Sequence, residues 1–157
     1  MRLHFCLLLL LLSTPLVSAQ HCRKVDIDKS SGYCTVPDPK ITPGEMDASL
    51  ACSMTGHLRQ VSDATKSLIL AAYGLPENTD PSSGEFDYFF PEWMGGTDGP
   101  KNIWFEPHAG RFGSYAKDKV EKDLYRRVCV DHTMTVQEAK QVFLNGWTKY
   151  YQKHLEQ

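Results

Sequence analysis

The chain has no excess of basic residues, since its 157 positions hold 17 Lys and Arg against 19 Asp and Glu. A broadly cationic nucleic-acid surface is therefore not expected, and any phosphate binding must be local. No Asn-x-Ser/Thr sequon occurs, so N-glycosylation is not expected either. No internal repeat or low-complexity tract is present. The length of the chain is in the usual range for a single domain, so we expect one domain.

Long apolar runs are also missing, except at the N-terminus. Arg2 is followed by an apolar stretch at 5–12 and by the small-residue ending Val17-Ser18-Ala19. This is the pattern of a secretory signal peptide over residues 1–19. The stretch is shorter than the roughly 20 residues that a membrane-spanning helix needs. We therefore expect a secreted, extracellular protein with no membrane association.

Cysteines are few and widely spaced. Cys6 lies in the signal segment, which leaves Cys22, Cys34, Cys52 and Cys129. An even number of cysteines in an exported chain predicts two disulfides. A zinc site is the alternative, but no pair has the spacing of a zinc knuckle, roughly two to four intervening residues. Three pairings remain open.

The sequence pattern predicts an α+β fold: a small disulfide-stapled domain with a central strand–strand–helix unit and flanking helices. Residues 20–61 are expected to form an irregular cysteine-containing segment, and 62–157 to form the α+β domain. Its expected elements are a helix at 63–73, a strand in the aromatic run 86–90, a second strand at 102–105, a helix at 115–129, and a last helix that begins at the Thr135–Glu138 capping box.

Two sets of apolar side chains are expected in the core. The last helix carries a stripe at three- and four-residue steps, formed by Val136, Ala139, Phe143, Trp147 and Tyr150. Large aromatic residues at a strand and its turn more often lie in the core than on a binding surface. We therefore expect four such residues in the core: Phe89, Phe90, Trp93 and Trp104.

The centre of the chain carries a recognisable succession of motifs. These are Asp87-Tyr88 with Pro91, the Gly95-Gly96 turn, Asn102-Ile103-Trp104, and Lys117-Asp118-x-x-Glu121-x-x-Leu124-Tyr125. The succession resembles secreted HNH (ββα-metal) endonuclease-like proteins of the kind found among small fungal secreted proteins. Their core runs Asp-His-x-x-Pro, Gly-Gly, Asn-Leu-Trp-Pro and Lys-Asp-x-x-Glu-x-x-Leu-His. The resemblance spans about residues 42–151.

The resemblance implies a degenerate catalytic site. In the family a histidine activates water, the neighbouring aspartate helps to hold a divalent metal, and the asparagine fixes the histidine. Asp87 and Asn102 match this pattern, but Tyr88 stands in the place of the histidine and Tyr125 in the place of a second one. With an ordinary pKa near 10, only about one tyrosine in a thousand is ionised at pH 7, so Tyr88 is a poor general base.

Other residues could in principle replace what is missing. His108 follows the second strand and is a candidate substitute base, while Asp87, Glu106, Asp118 and Glu121 offer oxygen ligands for Mg²⁺ or Ca²⁺. The alternative is that His108 is a polar loop residue, Glu106 and Glu121 are solvated or capping, and Asp118 caps the following helix. The basic residues of that helix, Lys117, Lys119, Lys122, Arg126 and Arg127, are interpreted as its solvated surface.

We therefore expect a secreted, catalytically degenerate HNH-nuclease-like protein that works as a binding or host-interaction factor, an effector or virulence protein, with a protein partner from a host. The alternative is an active secreted metal-dependent nuclease that acts on DNA or RNA through Asp87, Asn102 and a substitute base.

Overall fold

A computed structural model describes Cys22 and residues 32–53 and 60–156. The expected signal peptide lies outside the described residues. Among those described, no helix is long and apolar enough to cross a membrane. Among the described residues before the first helix, a 3-10 turn covers Ala48–Leu50 and a bridge pairs Met46 with Gly96.

The first helix, α1 (Asp63–Tyr73), has the predicted bounds. The Ser62 side chain accepts a hydrogen bond from the Thr65 N–H, and Gly74 ends the helix in the left-handed conformation. Both signals are local, which is why they could be read from the sequence.

Two antiparallel strands follow, β1 (Gly84–Tyr88) and β2 (Ile103–Pro107). Their register pairs Gly84 with Pro107 and Tyr88 with Ile103, so the open end of the hairpin lies at Gly84 and Pro107. The connecting loop contains a 3-10 turn at Glu92–Met94. Gly95 ends that turn at φ 86°, and a Cβ there would lie 1.9 Å from the Asp47 carbonyl oxygen, so the loop packs too closely for another residue.

The second long helix, α2 (Ser114–Tyr125), is shorter than the predicted 115–129. From Arg126 to Val130 the chain continues as a π-helical turn. Cys129 lies in this turn and is bonded to Cys52, and the second disulfide joins Cys22 to Cys34. The prediction of two disulfides is confirmed, and the open choice among three pairings is settled.

The prediction of a single C-terminal helix is wrong. The chain forms two helices there, α3 (Val136–Leu144) and α4 (Trp147–His154). The capping box is confirmed: Thr135 and Glu138 hydrogen-bond each other's backbone N–H groups. The break is at Gly146, whose φ of 103° is outside the helical range. The break shifts the buried face of α4, so Tyr151 is buried and the predicted Tyr150 is only half-buried.

The fold is α+β, with four α-helices and a two-stranded sheet in the described part of the chain. One apolar cluster joins the hairpin loop to α2, α3 and α4 and includes Phe89, Phe90, Trp93, Leu124, Phe143 and Trp147. The other packs α1 against the hairpin and includes Ile69, Tyr73, Tyr88, Ile103 and Trp104. The four aromatic residues assigned to the core from the sequence are all buried.

Candidate functional site

A buried ionic cluster lies between the hairpin and α2. Strand alternation puts Asp87 of β1 and Glu106 of β2 on the same face of the sheet, because Glu106 pairs with Glu85 and Asp87 with Trp104. Lys117 of α2 points into this face: its Nζ hydrogen-bonds the carboxylates of Asp87 and Glu121 and lies 3.7 Å from Glu106 Oε2. We call these four residues the Lys117 cluster.

The members differ in exposure. The side chains of Lys117 and Glu106 are fully buried, whereas those of Asp87 and Glu121 are 27% and 21% exposed. Three carboxyl groups thus surround one ammonium group. If all four were ionised the cluster would carry a net charge of −2 in a poorly solvated site, which is costly. The cluster must therefore retain protons or admit further positive charge.

Within the cluster, the buried Glu106 carboxyl group has a strongly raised pKa. Burial raises its pKa well above the ordinary value, and the charges of Asp87 and Glu121 add to this against the opposing effect of Lys117. If Glu106 were ionised, neither of its two carboxylate oxygens would accept a hydrogen bond. As a neutral acid it can donate a hydrogen bond to Asp87, an interaction that lowers the pKa of Asp87. Both observations favour a protonated Glu106.

The pKa values of Asp87 and Glu121 shift in opposite directions. Burial acts to raise the pKa of Asp87, but the Lys117 charge together with hydrogen bonds from Glu106 and Lys117 holds it below the ordinary value. Burial raises the pKa of Glu121 to about 7, in spite of Lys117. Lys117 stays charged, because its three carboxyl neighbours outweigh the effect of burial and raise its pKa. At neutral pH the cluster is an ionised Asp87–Lys117 pair flanked by one protonated and one titrating carboxyl group.

We expect stability to fall between pH 5 and pH 8. A carboxyl group whose pKa is raised on folding stabilises the folded state below its unfolded pKa, and this contribution is lost as pH rises through the folded pKa. For Glu121 that interval runs from about 4.5 to about 7, and Glu106 acts in the same direction. Asp87, with its lowered pKa, produces the opposite loss only in more acidic solution. The expected decrease in unfolding free energy is on the order of 2 kcal/mol.

Urea unfolding at pH 5, 6, 7 and 8 measures this effect. The Glu121→Gln variant should show a shallower decrease, because it removes the titrating group while keeping the shape of the side chain. A stability that rises steadily from pH 5 to pH 8 would contradict the assigned protonation states.

The structure does not assemble the predicted metal site. Asp87 and Glu121 are both bound to Lys117, while Asp118 is exposed on the outer side of α2. Asp118 is not a helix cap either, since α2 begins at Ser114 after Gly113. Within the described ranges no three His, Cys, Asp or Glu side chains are grouped to hold a metal ion. A lysine ammonium occupies the position between carboxylates where a cation would bind.

Tyr88, which stands in the place of the family's histidine, faces away from this cluster. Successive strand residues point to opposite faces, so Tyr88 packs in the apolar cluster between α1 and the hairpin while Asp87 faces α2. Its side chain is 7% exposed, and its hydroxyl donates a hydrogen bond to Asp98 Oδ1 at 2.9 Å. A buried phenol in this setting is poorly placed to take a proton from water.

Asn102 is fully buried and holds the hairpin loop in shape. Its Oδ1 accepts from the Phe90 N–H at 2.9 Å, and its Nδ2 donates to the carbonyl oxygens of Phe90 at 3.0 Å and Thr97 at 3.1 Å. The amide's acceptor and its two donor hydrogens are thus used on backbone groups, which makes Asn102 a positioning residue for the loop.

His108 lies at the other end of the hairpin. Its backbone N–H bonds the Ser83 carbonyl, and its Nδ1 is 3.0 Å from Ser114 Oγ and 3.9 Å from Glu85 Oε1. Asp87 is two residues further along β1 than Glu85, so His108 belongs to the open end and Asp87 to the loop end. The structure does not bring His108 and Asp87 into one site.

Comparison of the chain with protein-family models, with curated proteins and with solved structures finds no match.

Sequence reasoning missed the burial of the two central members of the cluster. Lys117 was interpreted as helix surface, which is wrong. For Glu106 there were two interpretations, a metal ligand or a solvated or capping residue, and the second is wrong because the side chain is fully buried. The sequence spacing fits each contact but does not by itself indicate burial. Lys117 and Glu121 are spaced i, i+4, and Glu106 stands two positions after Trp104 on the same face of the strand.

Proposed function

We propose that the chain is a secreted, catalytically degenerate HNH-nuclease-like protein that acts by binding a partner. The order strand, strand, helix in β1, β2 and α2 supports a nuclease-like ancestry. So does the glycine turn in the hairpin loop together with the hydrogen bonds of Asn102 to that loop. The two disulfides fit an oxidising, extracellular compartment.

The observation that carries the proposal is that both key positions are already engaged. The Asp87 carboxylate, which would hold the metal, is bound by the buried ammonium of Lys117. The Tyr88 hydroxyl, in the place of the general base, is buried and donates to Asp98. A divalent cation at Asp87 would have to approach an ammonium group to which the carboxylate is already bonded.

We expect the oxidised chain from Gln20 to Gln157 to show no metal-dependent cleavage of plasmid DNA or total RNA. The comparison is between Mg²⁺ or Mn²⁺ and EDTA, with Asp87→Ala as the matched variant. Wild type and variant should both remain at the EDTA background. Cleavage that needs metal and is abolished by Asp87→Ala would favour the alternative, an active nuclease with a substitute base.

The Tyr88→His variant tests whether the missing histidine alone accounts for the expected inactivity. Histidine is mostly available as a base near pH 7, but Asp87 stays bound by Lys117 and position 88 faces α1, so the variant should remain at the EDTA background. Metal-dependent cleavage by folded Tyr88→His would contradict the engagement of Asp87 by Lys117 and favour the alternative, a nuclease with an intact metal site.

The biological role we propose is that of a host-directed effector. It rests on the export signal and on the likeness to small fungal secreted proteins, so its test is genetic. Deleting the gene should change an interaction phenotype, and an unchanged phenotype would contradict the effector role.

A further inference from the structure

The sheet of the described chain has two strands, so β1 pairs with β2 on one side and has an outer edge on the other. In the register of the hairpin, the His108 N–H donates to the Ser83 carbonyl. Hydrogen-bonded pairs recur at every second residue of an antiparallel ladder, so Glu85 and Asp87 direct their backbone N–H and C=O groups toward β2.

Gly84 and Phe86 carry the free backbone groups of the outer edge. They alternate with Glu85 and Asp87, so their N–H and C=O groups point away from β2. No other residue in the described part of the chain hydrogen-bonds these groups. A row of unpaired N–H and C=O groups at a sheet edge is a template for a further strand.

A cavity runs along this edge, between β1, α1 and the turn at 76–83. Its volume is about 380 Å³, and its lining includes Gly84, Glu85 and Phe86. Because consecutive strand residues point to opposite faces, a cavity that touches three of them in a row lies against the edge of the strand. The Glu85 carboxylate itself points to the α2 side, toward His108. We call this space the β1 edge cavity.

On the α1 side of the sheet the β1 edge cavity has an apolar floor. Leu70 is 7% and Phe105 2% exposed, so both belong to the packed interior. Phe86 is half-buried, and its ring meets that of Phe105 edge to face, with centroids 5.4 Å apart. An apolar side chain that stood beside Phe86 on an added strand would enter this space, whose volume lies in the range, roughly 300–1,000 Å³, of ligand cavities.

The surroundings leave the edge accessible and already ordered. Helix α1 packs more closely on β2 than on β1, so it does not cover the outer side of β1. The turn at 76–83 is held by its own hydrogen bonds, in which Asp80 accepts from the Ser82 N–H at 2.8 Å and Thr79 donates to the Pro76 carbonyl. A site that is ordered in the free protein loses less entropy on binding.

We propose that β1 binds an extended segment of a protein partner as a third, antiparallel strand, with one apolar side chain of that segment in the β1 edge cavity. The inference rests on the proposed binding function and names the chemistry of the partner. An extended main chain supplies the acceptor and the donor that the N–H and C=O of Phe86 lack.

The antiparallel direction follows from how few backbone groups are free. In antiparallel pairing, one partner residue exchanges both hydrogen bonds with Phe86, so a short edge is enough. That partner residue lies on the same face of the sheet as Phe86, and its side chain is therefore the one that enters the cavity. The side chains of its two neighbours point to the other face.

The test is a titration of the oxidised chain from Gln20 to Gln157 with the peptide acetyl-Thr-Thr-Ile-Thr-Thr-amide, followed by NMR chemical shifts. Two N-methylated versions of the peptide are the matched controls. N-methylation of the isoleucine removes the N–H that donates to the Phe86 carbonyl and should weaken binding about tenfold. N-methylation of the threonine that follows blocks an N–H that points away from β1, and should change the affinity by less than about twofold.

Amide hydrogen exchange of the protein reports the same contact. In the free protein the Phe86 N–H should exchange faster than the Asp87 N–H, which is bonded to β2. With the peptide at about ten times its Kd, exchange at Phe86 should slow about tenfold, while exchange at Asp87 changes little.

Three results would each overturn the proposal: no binding of the peptide, the same affinity for both N-methylated versions, or a Phe86 N–H that is already protected in the free protein. The second is the result expected for an apolar ligand that fills the cavity without pairing with β1. The outcome is independent of the nuclease assay. A chain that cleaves nucleic acid and still pairs with the peptide would refute the proposed function and leave this inference standing, whereas an inactive chain that does not bind the peptide would do the reverse.

Discussion

The Lys117→Met variant should lose about 3–5 kcal/mol of unfolding free energy at pH 8. Methionine keeps most of the side-chain volume but removes the ammonium group that three carboxyl groups share. Asp87 and Glu121 then face Glu106 with no counter-charge, and each must either take up a proton or remain charged in a poorly solvated site. For a domain whose total stability is about 5–15 kcal/mol, this is a large fraction.

Urea unfolding at pH 8 and pH 5 measures the effect. The loss should be smaller at pH 5, because the carboxyl groups are then easier to protonate. Lys122→Met, an exposed position on the same helix, is the matched control and should cost less than about 0.5 kcal/mol. If Lys117→Met does not fold, Asp87→Asn/Lys117→Met should recover part of the loss, because it removes the carboxylate that is ionised beside Lys117. If Lys117→Met lost no more unfolding free energy than Lys122→Met, the Lys117 cluster would not stabilise the fold as described.

Removing the Cys52–Cys129 disulfide should cost about 4–5 kcal/mol in the chain-entropy model. The bond joins residues 77 positions apart, so the unfolded chain gains much freedom when it is absent. It also ties the irregular segment before α1 to the π-helical turn after α2. The variant is Cys52→Ala/Cys129→Ala, and the measurement is urea unfolding of the oxidised protein.

A second observable separates this effect from a local packing loss. The dependence of unfolding free energy on urea should steepen, because the unfolded state without the long cross-link is more expanded. Cys22→Ala/Cys34→Ala, whose bond spans 12 positions, should steepen it less. A cost below about 1 kcal/mol with an unchanged slope for Cys52→Ala/Cys129→Ala would contradict the assigned role of the bond.

Local signals in the sequence predicted much of the fold. Helix α1 and the start of α3 were predicted because Ser62, Gly74 and the Thr135–Glu138 pair act within one turn of the chain. The C-terminal helix was extended too far because its apolar spacing continues across Gly146. The break depends on that one residue's backbone conformation, which the spacing of its neighbours does not report.

The candidate site could be predicted only in part. Asp87 and Asn102 were recognised by their order in the sequence, but the partners of Asp87 come from two other elements, β2 and α2, that only the folded chain brings next to β1. A lysine among basic helix residues is usually solvated, so nothing in the composition of α2 marked Lys117 as buried. Its role becomes visible only when the hairpin face opposite it is known to carry Asp87 and Glu106.

The most direct test of the central claim, that Asp87 is engaged by Lys117 and holds no metal, is Mn²⁺ binding by electron paramagnetic resonance on the oxidised chain from Gln20 to Gln157. We expect wild type and Asp87→Ala to give the same weak, non-saturating signal change at neutral pH. Saturable binding of one Mn²⁺ per chain that is lost in Asp87→Ala would contradict the account and support an intact metal site.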